Sequence, residues 1–181
     1  HAALLQPVWP LVAGRRLAIV PCGALHYLPF HALRDETGYL IAHTEVCVAP
    51  SAALLHRCLA QECAPTRRAL LAGAADERTP YLVQEIEHLQ RLFPAATALV
   101  GEAATLDAVR CQAPAVDVLH LACHGYFRPD NPLFSALRLA DGWLTVRDAY
   151  DLRLNCTLVT LSACDTGLNA VTPGEELLGL V

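Results

Sequence analysis

The chain has 181 residues, of which 54% are hydrophobic and 17% charged, with a formal net charge of −5. This supports one sizeable core and argues against long unfolded stretches, while the acidic balance argues against a nucleic-acid partner, which needs a basic face to neutralise phosphates. No apolar run reaches the ~18 residues a membrane helix needs, so no membrane partner is expected.

The first apolar run, Arg16-Leu-Ala-Ile-Val-Pro21, is a strand by length and by the Pro and Gly23 that end it. Glu45-Val-Cys-Val-Ala49 is a second strand. A helix opens after Pro50 with Ser51 as its N-cap and runs to Ala60. Residues 14–50 together predict a hairpin-like unit, and 1–66 an N-terminal part of the domain.

From residue 67 strands and helices alternate. Ala69–Ala72 reads as a strand running into Gly73. Tyr81–Phe93 is helical, with Leu82, Ile86, Leu89 and Phe93 on one face. Thr97–Val100 is a strand, Ala104–Cys111 a helix and Val116–Cys123 a longer strand. Ala136–Leu139 is a short strand with a turn at Asp141-Gly142. Val146–Leu152 is a helix, Cys156–Ala163 another apolar strand, and Pro173-Gly174 precedes an expected final helix. Continuous apolar runs mark strands covered on both faces, and alternation with helices predicts right-handed crossovers and a mainly parallel sheet. The expected fold is therefore a three-layer α/β/α domain over 67–181.

Eight cysteines lack a framework spacing or a CxxC pair, and several sit inside apolar runs, such as Cys47 and Cys123. Buried free thiols in a reducing cytoplasm are expected, not disulfides. All 13 basic residues are arginine; with heavy alanine and leucine usage this suggests a GC-rich bacterial genome. His1-Ala-Ala-Leu-Leu5 and Glu175-Glu-Leu-Leu-Gly-Leu-Val181 both read as helix interiors, so the expectation is a piece of a longer protein, cut at both ends.

Two strands end alike. Val118–Cys123 runs into His124-Gly125, and Leu158–Ala163 runs into Cys164-Asp-Thr-Gly167. In a parallel sheet, ligands bind at the carboxyl ends of strands. A nucleophilic Cys needs a base within hydrogen-bond reach, because the thiolate attacks. Strands lie about 4.8 Å apart, so His124 and Cys164 could meet above adjacent strand ends. The backbone N–H groups of Gly125 and Cys164 are the candidate oxyanion hole. Ser162, Asp165 and Asn131 are candidate substrate contacts, although an acid such as Asp165 is more at home in a loop or at a helix N-terminus. A metal site from His120, Cys123 and His124 fails on distance, since residues four apart on a strand are separated by about 13 Å. His120 reads as a satisfied core histidine.

These motifs resemble the CHAT domain, a caspase- and separase-like family. The resemblance rests on Ile19-Val-Pro21, Leu25-His-Tyr-Leu-Pro-Phe30, His124-Gly125, Asn131-Pro-Leu-Phe-Ser135, Leu137-Arg-Leu-Ala-Asp-Gly142, Leu161-Ser-Ala-Cys-Asp-Thr-Gly167 and Gly174-Glu-Glu-Leu-Leu-Gly179. It implies a caspase-like fold and cysteine endopeptidase activity on a protein or peptide substrate. His124 would be the general base, Cys164 the nucleophile and Gly125 an oxyanion donor. It also implies helical-repeat regulatory domains in the longer protein. Such chemistry needs no cofactor or metal, and no third triad member is identifiable. Two alternatives stand beside it: a caspase-like scaffold without catalysis, and an amidotransferase-like amidase, against which the order His before Cys argues.

Overall fold

The computed structural model describes residues 3–60, 68–77, 79–164, 169–171 and 177–179, the last two segments by their backbone alone. The chain divides into two compact units, His1–Glu62 with Pro173–Glu176, and Cys63–Thr172 with Leu177–Val181.

The smaller unit contains α1 (Trp9–Val12), β1 (Leu17–Ile19), β2 (Val46–Val48) and α2 (Ala52–Ala60). Ser51 caps α2 as expected, its hydroxyl accepting from Leu54 N–H at 3.1 Å. The hairpin expectation is wrong. β1 and β2 pair in parallel, with Leu17 opposite Val46 and Ile19 opposite Val48. Parallel neighbours need a long connection, and residues 20–45 supply it through three 3₁₀ turns. Leu5, Leu17 and Leu40 form this unit's small core.

The larger unit is built on β3 (Ala69–Gly73), α3 (Leu82–Leu92), β4 (Thr97–Val100), α4 (Leu106–Gln112) and β5 (Val118–Ala122). The antiparallel strands β6 (His124–Tyr126), β7 (Ala136–Arg138) and β8 (Trp143–Thr145) follow. Next come α5 (Val146–Tyr150), β9 (Leu158–Ser162), β10 (Asn169–Val171) and β11 (Leu177–Gly179). The central sheet has the order β4-β3-β5-β9, all parallel.

Every residue of β3 and β5 is buried, which is why both read as unbroken apolar runs. Their side chains alternate between two cores. Leu70, Ala72, Leu119 and Leu121 pack with Val109 and Ala113 on one face. Ala69, Leu71, Val118 and Ala122 pack with Leu82 and Ile86 of α3 on the other. Helices therefore cover both faces, the layered caspase-like α/β arrangement. Gly73 lets α3 ride close, since a Cβ there would lie 2.5 Å from Leu82 Cδ2.

The final helix expected after Pro173-Gly174 is corrected for Leu177–Gly179, which is strand β11, antiparallel to β10. A helix so short has too few internal hydrogen bonds to offset its nucleation, whereas two short apolar runs gain a ladder by pairing. The expectation of buried thiols is also corrected in part. Cys123 is buried and Cys156 half-buried, but Cys22, Cys47, Cys58 and Cys111 are free and exposed. A thin two-stranded sheet leaves one face open, and Cys47 lies on it. Cys63 lies outside the described residues.

Candidate active site

β5 and β9 are neighbours, with Ala122 opposite Ser162. His124 and Cys164 each stand two residues past that last pair, so equal counts carry both side chains to one sheet end. Cys123 N–H donates to Ser162 C=O at 3.2 Å, extending the contact beyond the ladder. The two chains then diverge. His124 opens β6, with Arg138 of β7 opposite it.

His124 and the exposed thiol of Cys164 line one cavity of about 480 Å³. Ser162, Ala163, Cys123, Thr79, Tyr81 and Glu85 complete most of its wall. No hydrogen bond joins His124 to Cys164. The imidazole instead meets Asp76, its Nε2 lying 3.1 Å from both Oδ1 and Oδ2.

Asp76 follows β3 and was not singled out in the sequence, because Ala74-Ala-Asp-Glu77 carries no motif. The available signal was positional: β3 is the third strand of this sheet to send its carboxyl end to the same edge. Thr79 braces the carboxylate. Its hydroxyl donates to Asp76 Oδ1 at 3.0 Å and accepts from Asp76 N–H at 3.0 Å.

Gly125 is fixed by two constraints. Leu139 N–H donates to Gly142 C=O and Val146 N–H to Ser135 C=O, so the odd-numbered residues of β7 bond to β8. Ala136 and Arg138 therefore face β6 and bond to Tyr126 and His124, leaving Gly125 N–H turned away from β7. The Cα of Gly125 also packs on Cys164, so that an added Cβ would collide with the Cys164 carbonyl oxygen. Gly125 is thus required for close approach of two backbones.

The remaining expected site residues divide. Ser162 lines the cavity. Asn131 is exposed just before the 3₁₀ turn Pro132–Phe134, its side chain makes no cap hydrogen bond, and it is not among the residues lining the cavity that holds Cys164. Asp165 lies outside the described residues.

Beneath the cavity, His120 is buried in β5 on the α3 face. Its Nδ1 lies 2.6 Å from Thr160 Oγ1. Its Nε2 is 3.1 Å from Glu85 Oε1 but makes no well-directed hydrogen bond, so the core histidine is only half satisfied. Burial holds its pKa below the usual histidine value, against the pull of Glu85. Burial likewise pushes the Cys123 thiol up to about 12, which makes it a poor nucleophile beside Cys164.

Among the described residues, no group of three or more His, Cys, Asp or Glu side chains is placed to hold a metal ion, and no helix is long and apolar enough to cross a membrane. No curated protein matches the chain. A family model described as the CHAT domain matches residues 1–181, and that family is caspase-like and related to peptidases. A parallel sheet wound with helices, and ordered motifs from Ile19 to Gly179, agree with that match: the chain belongs to the CHAT domain family.

Proposed function

We propose that this domain is a cysteine endopeptidase in which Cys164 attacks a peptide carbonyl and His124 moves the proton. The observation that carries the reading is the shared cavity. One imidazole and one exposed thiol open onto it at the ends of two paired parallel strands, with Gly125 packed against the Cys164 backbone.

The chemistry follows from these positions. His124 takes the thiol proton, and the thiolate sulfur bonds to the carbonyl carbon. Negative charge gathers on the carbonyl oxygen, for which the N–H groups of Gly125 and Cys164 are the candidate donors. Collapse breaks the C–N bond, and His124 returns its proton to the leaving amine. His124 then takes a proton from water, hydroxide attacks the thioester, and the acid product leaves with Cys164 again a thiol. The substrate is a protein or peptide. A bacterial, cytoplasmic setting and control by helical-repeat segments of a longer chain belong to the same proposal.

The test is incubation of the full-length protein with a proteome-derived peptide mixture, read by mass spectrometry. New termini are expected from the parent and none from Cys164→Ala, with circular dichroism unchanged. Equal cleavage by the variant would sink the nucleophile assignment. A second reading, a scaffold that keeps the fold without catalysis, is favoured by the missing His124–Cys164 hydrogen bond. Under it the parent cleaves nothing, and Cys164 alkylates no faster than the exposed Cys47.

A further inference from the structure

His124 lines two cavities. One holds Cys164. The other, about 260 Å³, is lined by His124 together with Asp76, Glu102 and Arg138. His124 Nε2 lies 3.1 Å from both oxygens of Asp76. We propose that Asp76 is the positioning residue of the site: it accepts the Nε2–H of His124, fixes the tautomer that leaves Nδ1 basic, and stabilises the imidazolium formed when Cys164 loses its proton. This rests on the Cys–His reading and makes the expected dyad a three-residue relay.

Three observations carry it. The carboxylate is within hydrogen-bond distance through both oxygens, so its approach is not a chance contact by one atom. It is held before any substrate arrives, because Thr79 donates to Oδ1 and accepts from the Asp76 N–H. Its segment leaves β3 at the edge where β5 and β9 deliver His124 and Cys164, so three adjacent strands each supply one group. A neutral imidazole has one N–H, and which nitrogen carries it is set by the partner of the other. A carboxylate on Nε2 therefore assigns Nδ1 as the acceptor.

Other charges surround His124. Arg138 opposite it on β7 and Glu102 line the Asp76 side, and Glu85 of α3 lines the Cys164 side with Tyr81. Among the described residues, only Asp76 is within hydrogen-bond distance of the ring.

The experiment is the pH dependence of Cys164 alkylation by iodoacetamide on the full-length protein, followed by mass spectrometry of the Cys164 peptide, with Cys47 as internal reference. The reagent is uncharged and small, so recognition of a substrate charge plays no part. Asp76→Asn keeps the shape and removes the charge. Near pH 6 its Cys164 is expected to react about tenfold more slowly than the parent, because the imidazolium that balances the thiolate loses its partner charge. Near pH 9.5, above the ordinary thiol pKa, the two rates should converge. His124→Ala should lose the low-pH reaction altogether. If His124→Ala slows the reaction but Asp76→Asn matches the parent, or slows it equally at every pH, the role of Asp76 is overturned while the Cys–His reading stands. If His124→Ala matches the parent, the Cys–His reading itself fails and the relay with it.

Discussion

Gly125 shows how narrowly the residues of this site are constrained. A side chain there would meet the Cys164 carbonyl oxygen, and Ala163 Cβ at 3.3 Å, so the nucleophile segment would have to move. Gly125→Ala is expected to cost about 1–3 kcal/mol, the usual range for overpacking. It should be seen as a lowered Tm together with slowed alkylation of Cys164. The two thiols of the cavity make a second prediction. Cys164 is exposed, whereas Cys123 is 3% exposed with its thiol pushed up to about 12. Near pH 8, iodoacetamide should label Cys164 and leave Cys123 unmodified until the chain is denatured; labelling of native Cys123 would contradict its burial. That Cys164 and His124 come to one cavity could be read from two strand-end motifs. Asp76 could not, because an acid after Ala-Ala acquires meaning only when the sheet order places its strand beside β5.

Among the elements, α5 carries a complete capping box. Asp148 N–H donates to Thr145 Oγ1 at 3.1 Å, and Thr145 N–H donates to Asp148 Oδ2 at 3.0 Å. Removing the cap with Thr145→Ala should cost about 1 kcal/mol in denaturant unfolding. The Thr145 hydroxyl, the Thr145 N–H and Arg110 hold the Asp148 carboxyl below the usual aspartate value. Because the folded pKa is the lower one, its stabilisation is present above the ordinary value near 3.8 and is lost as pH falls below it. Asp148→Asn should therefore narrow the stability difference between neutral pH and about pH 3, and an unchanged difference would count against this capping role. Of the elements, the strands buried on both faces were legible because Ala69–Gly73 and Val118–Ala122 carry no polar residue except His120. The parallel pairing of β1 with β2 was not, since two short apolar runs look the same whichever way the connection between them turns. β6 and β8 were missed for a similar reason: three-residue strands such as His124–Tyr126 have no period to detect, and only their partners define them.

Across the larger unit, one buried titratable group ties stability to pH. Burial lowers the pKa of His120, so the folded state prefers the neutral ring. Its contribution is fully present above the unfolded histidine value near 6.5 and is lost as pH falls below it toward the folded value. Urea unfolding between about pH 7.5 and pH 5 should show this decline, and His120→Leu should flatten it; an equally steep decline in the variant would assign it to other groups. The same residue marks the boundary between what chain order and apolar pattern specify and what assembly adds. Apolar patterning predicted a mainly parallel sheet wound with helices, because burial on both faces demands unbroken apolar runs and a crossover demands a helix. It also brought His124 and Cys164 to one edge, since each follows such a run by the same number of residues. Folding into the order β4-β3-β5-β9 then set Asp76 against His124, Glu85 against His120 and Gly125 against Cys164. These contacts join residues far apart in the chain, and no local pattern encodes a distance that exists only once the strands are side by side.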